Sequence, residues 1–402
     1  MPTDPLTSAC WLLPDLGHYH HARIQAAAAV GPAPAYVLEV HDRPGFAEFR
    51  YVPAADAGYR VDRVRDSIAE SLGRLRPSVV FLNGWADGSS LAGLRWCQQT
   101  GTPAVAMSES TRTDSIGDRT PDPGRPLRRG RWREVVKRRL VRQFSAALVG
   151  GAPHREYIIE LGVDPDRVFD GYDVVDNDHY AAGAKAARDD ADMLRKKHGL
   201  PERYFLASAR FIPKKNLHRL LRAFAAYRAA AGSGAWDLVL LGDGPEKLDL
   251  VRLIDELKLG DAVHLPGFKP FAELPVYYGL AGAFVHASTT EQWGLVVNEA
   301  MAAGLPVVVS RACGCAADLV TKGVTGFTFD PYNEADLTEA LLTVAAPAFD
   351  HAAMGRAARA RVAEWGPARF AANFWRAAEA AVAAGPQPPR LASRLLLSVL
   401  AG

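Results

Sequence analysis

Glu291 and Glu299 stand eight positions apart in the stretch STTEQWGLVVNEAM, which runs from Ser288 to Met301. On a helix that spacing separates two carboxylates by about 12 Å, and by a somewhat different distance if Glu291 lies in a turn before the helix. No single metal ion bridges such a gap. A diphosphate with a sugar at each end does, and carboxylates accept paired hydrogen bonds from neighbouring sugar hydroxyls. The competing reading is two solvated charges flanking a buried helix. The pattern from Gly294 to Ala303 is helical, and the first N–H groups of a helix lack partners and carry partial positive charge, which suits a bound phosphate.

A second group of residues follows the run YFLASA: Arg210, Lys214 and Lys215, then Asn216 and an amphipathic helical pattern. Arginine offers a planar fork to phosphate oxygens and lysine a mobile point charge, so together they would neutralise a diphosphate leaving group. Cations at a helix entry are otherwise simply solvated. The next apolar run ends in Gly242, Asp243, Gly244 and Pro245, a backbone-exposing turn. It lacks the third glycine of a dinucleotide fingerprint, so it does not indicate a dehydrogenase.

Other candidates are less specific. Gly17, His18, Tyr19, His20 and His21 form a glycine- and histidine-rich turn, and Asn83, Gly84, Trp85 and Ser108, Glu109, Ser110 end two further apolar runs. Glu109 either takes a proton from an incoming hydroxyl or is a hydrogen-bonded structural carboxylate. Cys313 and Cys315 make a C-x-C, but two thiols alone are a poor metal site, and small residues in a tight loop account for them. From Arg125 to Arg142 there are nine cations and one acid, Glu134. The default reading is a solvated helix face; the alternative is attraction to an anionic membrane surface or lipid phosphate, at about 1 kcal/mol per well-placed charge.

Positioning these groups calls for parallel sheets. Short apolar runs alternate with long helical patterns, the order of an α/β fold with helices on both faces. The predicted strands are Cys10 to Leu13, Ala35 to Glu39, Val79 to Leu82, Ala104 to Met107 and Ala146 to Val149 in the first half. In the second half they are Tyr204 to Ala209, Asp237 to Leu241, Val263 to Leu265, Ala283 to His286, Pro306 to Ser310 and Gly326 to Phe329. The strand rhythm stops in the polar stretch Asp176 to Leu200, the predicted interdomain hinge. Open parallel sheets bind ligands beyond the carboxyl ends of their strands, and both main groups above occupy such positions.

The 402 residues imply two domains, and a composition 49% hydrophobic and 23% charged excludes disorder. A net charge of +2 gives no field for nucleic acid. Four scattered cysteines read as reduced thiols. The N-terminal stretch lacks a signal-like apolar segment and no apolar run reaches the ~18 residues of a membrane span, so the expectation is a cytoplasmic protein, at the inner face of the membrane if the basic run docks there. The tail holds a helical pattern from Pro367 to Ala384, then prolines and an apolar segment, Leu391 to Leu400, that either packs on the protein, is mobile, or meets a bilayer.

The segments FLASARFIPKKN, LVLLGDGPE, VHLPGF, FVHASTTEQWGLVVNEAMAAGLPVVVS and GVTGFTFDP, in this order across about residues 200 to 332, resemble the donor domain of the family-four retaining glycosyltransferases. The stretch GAPHREYIIELGVDPDRVFDGYDVVDNDHY is similar to that family's entry into its linker. The resemblance implies the GT-B fold, two Rossmann-like domains facing across a cleft. It assigns 1–180 to an acceptor-side domain with a returning helix over 365–384, 181–364 to a nucleotide-sugar domain, and 385–402 to a tail. It implies transfer of a sugar from a nucleoside diphosphate to a glycan, lipid or small-molecule hydroxyl, without a metal ion or other cofactor.

By that resemblance Arg210 and Lys215 bind the diphosphate, Glu291 faces the donor sugar, and Glu299 the ribose. Gly294, Leu295 and Val296 offer backbone amides to the donor, Gly267 and Phe268 border the base, and Gly17, His18, His20, Trp85 and Glu109 line the acceptor side. Many relatives have Gly-Gly followed by a glutamate where this chain has RACGCAAD from Arg311 to Asp318, so only Gly314 keeps a phosphate-side glycine. The competing functions are a sugar-nucleotide epimerase or a phosphorylase of the same architecture, and a non-catalytic nucleotide-sugar binding protein.

Overall fold

The computed structural model describes residues 6–40, 57–112 and 128–387. Two compact units divide the chain: one takes Met1–Val174 and Gly366–Gly402, the other Val175–Trp365. The chain therefore passes between them twice, at Val174/Val175 and at Trp365/Gly366.

The first unit holds seven strands: β1 (Ala9–Leu13), β2 (Ala35–Glu39), β3 (Arg60–Arg63), β4 (Val79–Asn83), β5 (Ala104–Ser108), β6 (Ala146–Val149) and β7 (Val168–Phe169). All pairs are parallel, in the order β3-β2-β1-β4-β5-β6-β7. The central strands are continuous apolar runs because helices cover both sheet faces; every residue of β1, β5 and β6 is buried. The two strands absent from the sequence reading are the edges. β3 reads RVDR with both ends exposed, and β7 has two residues, so neither carries the apolar run that announces a strand.

The helix Pro367–Ala384 belongs to this unit. Phe374 stacks on Phe81 of β4 with ring centroids 3.9 Å apart, and the Trp375 indole donates to Ala27 O at 2.8 Å. Its ring fills the space where a side chain at Gly31 would stand. Arg369 bonds Asp170 Oδ1 through Nε at 3.1 Å and Nη2 at 2.8 Å.

The second unit holds β8 (Tyr204–Ser208), β9 (Asp237–Leu241), β10 (Val263–Gly267), β11 (Ala283–His286), β12 (Val307–Ser310) and β13 (Gly326–Phe329). They form a parallel sheet in the order β10-β9-β8-β11-β12-β13. The chain builds outward from β8 in one direction and then returns to the other side of β8 with β11. At such a reversal the loops leaving the two adjacent strands diverge and open a crevice for a ligand. Those loops are Ala209–Asn216 and Ala287–Gly294, which bear the two residue groups singled out above.

The predicted hinge over 176–200 is corrected. It forms two helices, Asn177–Asp189 and Ala191–His198, inside the second unit. Asp176 caps the first by accepting from His179 N at 3.0 Å, and Gly199 ends the second in the left-handed conformation at φ 62°. Tyr180, Ala184 and Ala187 are buried, and Gly183 and Gly279 let this helix close on the helix Leu274–Leu280. The polar residues are the outer faces of packed helices.

Phe374→Ala removes a fully buried ring from the sheet face and is expected to cost about 3–5 kcal/mol. Urea unfolding measures this; a variant as stable as wild type would place the returning helix outside the core.

Candidate functional site

Three loops of the second unit are laced together by backbone hydrogen bonds. Thr289 N donates to Lys214 O at 2.9 Å, joining the loop after β11 to the loop after β8. Glu291 N donates to Ala312 O at 3.2 Å and Gly314 N to Glu291 O at 3.0 Å, joining it to the loop after β12. Asn216, left-handed at φ 59°, is buried and donates through Nδ2 to Ala287 O at 3.0 Å and to Pro331 O at 2.8 Å. Gly242 and Gly244 press from the other side. Both have positive φ, and a β-carbon on either would strike the backbone of Ala209 or Phe211. The tight turn after β9 thus backs the strand end that presents Arg210.

Within this frame the side chains of Lys214, Lys215, His286, Ser288 and Glu291 meet. Lys215 Nζ is ion-paired and hydrogen-bonded to Glu291 Oε2. Lys214 Nζ lies 3.6 Å from Oε1, Ser288 Oγ donates to Oε2 at 3.3 Å, and His286 Nε2 lies 3.5 Å from Oε2. Burial alone would raise the Glu291 pKa, but the His286 contact and the Lys215 cation outweigh it and hold the carboxyl well below the usual glutamate range. Arg210 is exposed and has no carboxylate partner among the described residues.

Gly294 caps the helix Leu295–Ala302 at φ 101°, a conformation that disfavours any side chain. A β-carbon there would lie 3.6 Å from both Glu291 Cγ and Cys315 Sγ. Leu295 and Val296 open the helix and are partly exposed, so their amides have no intrahelical acceptor. Arg210, Lys215, Glu291 and this helix start all belong to the loops at the sheet reversal. Glu299 lies deeper. It is fully buried, and Tyr278, on the helix after β10, donates to its Oε2 at 2.6 Å. Gly267 ends β10 at φ 80° and Phe268 beside it is 45% exposed, a flat apolar surface at the sheet's carboxyl edge. Gly314 is buried and commits its N–H to the Glu291 carbonyl. Cys313 and Cys315 are buried free thiols in the same loop, and burial pushes the Cys313 thiol up.

The candidates in the first unit are more dispersed. Gly17 caps the helix His18–Val30, and its N–H donates to His20 Nδ1 at 3.3 Å. Burial, and then Arg23, lower the His20 pKa to about 3. His21 Nδ1 lies 2.7 Å from the Tyr59 hydroxyl, so the histidines turn to different partners. Among the described residues no group of three histidine, cysteine or acidic side chains is arranged to hold a metal ion. Trp85 is buried in the core. Glu109 sits beside the buried Asp173, whose carboxyl is held well above its ordinary value by burial and the Glu109 charge, with Arg23 opposing. Arg23 lies 3.5 Å from Asp173 Oδ1 and over the Tyr172 ring at 4.7 Å.

Part of the basic run forms the helix Arg128–Val141; Arg125 lies outside the described residues. Arg138 donates to Glu160 O at 2.6 Å and Lys137 to the Tyr157 hydroxyl at 3.0 Å, while Arg139 and Arg142 are exposed. Among the described residues no helix is long and apolar enough to cross a membrane; the apolar segment Leu391 to Leu400 lies outside them.

His286, Ser288 and Tyr278 were not singled out from the sequence. The signal for His286 was available: an imidazole at the last position of the apolar strand AFVH must be either paired or functional.

A sequence profile described as Glycosyl transferases group 1 matches residues 190–361. The chain is 36% identical over 118 residues to the alpha-monoglucosyldiacylglycerol synthase of Acholeplasma laidlawii, covering 29% of each protein. It is 31% identical over 193 residues to the GDP-mannose-dependent alpha-(1-6)-phosphatidylinositol monomannoside mannosyltransferase of Mycolicibacterium smegmatis, covering 46% of this chain and 49% of that one. These alignments span half or less of each relative's length. The crystal structure of Anabaena HepE with UDP and glucose superposes with a TM-score of 0.67 at 19% identity, over 92% of this chain and 98% of that one. The shared fold is a pair of Rossmann-like parallel-sheet domains.

Because the Glu291 carboxyl titrates lower in the folded protein than the ordinary value of 4.5, its contribution to stability is complete above that value and is lost as the pH falls below it. The stability gap between wild type and Glu291→Gln is therefore expected to narrow as denaturant unfolding is repeated from pH 6 down to about pH 3. A gap that widens on acidification would mean that the ion pair does not hold the carboxylate.

Proposed function

We propose that this chain is a retaining glycosyltransferase moving a sugar from a nucleoside diphosphate to an acceptor hydroxyl, a reading supported by the match of residues 190–361 to the profile described as Glycosyl transferases group 1. The observation that carries the reading is the grouping of Arg210, Lys215 and Glu291 at the sheet reversal of the second unit, beside the start of the helix Leu295–Ala302. As the bond between the anomeric carbon and the diphosphate breaks, negative charge grows on the departing phosphate. Arg210 and Lys215, in the loop after β8, stabilise that charge more in the transition state than in the bound donor.

Arg210, Lys214 and Lys215 with Glu291 leave two net positive charges, the complement of a diphosphate diester. The amides of Leu295 and Val296, behind Gly294, add donors of their own. In this reading Glu291 takes a hydroxyl of the donor sugar. Glu299, presented by Tyr278, takes the ribose, which requires the ligand to open the cover over a carboxylate that is buried in the free protein. Phe268 stacks beneath the base. Attack comes from the face the leaving phosphate occupies, with that phosphate assisting, and no covalent enzyme intermediate forms. The fixed cations do the work of a divalent ion, so turnover is expected to be insensitive to a chelator.

The first unit takes the acceptor, with Gly17, His18, His20 and Glu109 as the residues at its strand ends. A lipid acceptor is favoured by the basic helix Arg128–Val141, where the exposed Arg139, and Arg142 just beyond its end, suit an anionic membrane surface. The Acholeplasma relative, a monoglucosyldiacylglycerol synthase, and the Mycolicibacterium relative, a phosphatidylinositol monomannoside mannosyltransferase, support the same choice. The site of action would then be the cytoplasmic face of a membrane.

A mass-spectrometric screen of uridine, guanosine and adenosine diphosphate sugars for binding and slow hydrolysis identifies the donor. With that donor, Lys215→Ala is expected to lower kcat by about 10²- to 10³-fold, and Glu299→Gln to weaken donor binding with a smaller effect on kcat. Wild-type kinetics from both variants, or no binding of any nucleotide sugar, would refute the assignment. Conversion of the sugar without an acceptor would indicate an epimerase.

A further inference from the structure

Four groups face the Glu291 carboxylate, and they are distributed unevenly over its two oxygens. Lys215 and Ser288 both hydrogen-bond to Oε2, and His286 Nε2 stands 3.5 Å from that same oxygen. Among the described residues Oε1 has only the Lys214 ammonium, at 3.6 Å, beyond hydrogen-bond distance. His286 and Ser288 are buried, with Nε2 and Oγ 3.2 Å apart. Burial lowers the His286 pKa, so the ring is neutral and has one proton to give.

With that proton on Nε2, His286 donates to Ser288 Oγ and the serine O–H donates onward to Glu291 Oε2. The ring itself is buried, at 2% exposed, and lies nearly parallel to the Phe284 ring, with centroids 6.3 Å apart.

We propose that His286 is a positioning residue: through Ser288 it fixes Glu291 by Oε2 and keeps Oε1 as the acceptor for a hydroxyl of a neutral sugar. This rests on the nucleotide-sugar reading above and adds to it the device that orients its sugar-facing carboxylate. A lysine alone would not do this, because a mobile point charge attracts a carboxylate without choosing between its oxygens. A neutral donor at a fixed distance makes the choice. The residue touches no substrate atom and acts only through Glu291.

The test needs no acceptor. UDP-glucose and UDP, GDP-mannose and GDP, and ADP-glucose and ADP are titrated calorimetrically into wild type, His286→Phe, His286→Gln and Ser288→Ala. For the pair that wild type binds, His286→Phe and Ser288→Ala are expected to raise the ratio of sugar-nucleotide Kd to nucleoside-diphosphate Kd about tenfold, with the nucleoside-diphosphate Kd within about twofold of wild type. His286→Gln, whose amide can supply a donor near the place of Nε2, is expected to restore most of the ratio.

An unchanged ratio in His286→Phe, a glutamine no better than phenylalanine, or parallel weakening of both ligands would overturn the proposal. If His286→Phe does not fold, Ser288→Ala and His286→Gln decide it by the same criteria: a wild-type ratio in Ser288→Ala, or a tenfold loss in His286→Gln, overturns it. If wild type binds none of the six ligands, the nucleotide-sugar reading itself fails. Binding with an unaltered ratio in the variants removes only the role of His286.

Discussion

A carboxylate with little access to water stays ionised only if fixed cations and donors replace the water it has lost. Glu291 meets that condition: its side chain is 13% exposed, as is that of Lys215, and the two are in contact. Removing one partner would leave the other charge buried without compensation, which is far more costly than losing an exposed ion pair. The loops that carry these residues therefore have to be held rigidly. The backbone bonds from Thr289 to Lys214 and from Gly314 to Glu291 do this, as does Asn216, which reaches two other strand ends at once. Arg210, backed by the Gly242–Gly244 turn and without such a carboxylate partner among the described residues, is exposed.

The same constraint explains the fold around the site. Charges can be gathered at one edge of a parallel sheet because all strands point their carboxyl ends the same way, and the reversal between β8 and β11 sets two of those ends apart. The apolar interior of the sheet lies immediately below. This keeps water away from the carboxylate and strengthens each contact it makes. In the loop RACGCAAD the Ala312 carbonyl accepts from Glu291 N and the Gly314 N–H donates to the Glu291 carbonyl, while both cysteines are buried free thiols.

What could be read from the residues alone follows physical lines. Central strands were evident because burial on both faces demands unbroken apolar runs, as in AALV and AVAMS. The edges β3 and β7 were not, since an edge strand needs no such run. The stretch 176–200 was mistaken for a hinge because its charged residues outweigh the three buried ones, Tyr180, Ala184 and Ala187, that anchor its first helix. In the site, Arg210, Lys215, Glu291 and Gly294 stood out because residue type and position at strand ends both pointed to anion chemistry. His286 carries a sequence signal, an imidazole closing an apolar strand, whereas Tyr278 becomes visible only through Glu299, twenty-one residues away. Trp85 looked like a loop residue at a strand end, yet it is buried in the core.

The most direct test is a crystal structure of the protein soaked with the nucleoside diphosphate it binds best. The account predicts terminal phosphate oxygens within about 3 Å of the Arg210 guanidinium and of Lys215 Nζ, in front of Gly294, with the Lys215–Glu291 contact lengthened to admit them. A diphosphate bound elsewhere, with Lys215 still closed on Glu291 and Arg210 untouched, would contradict it.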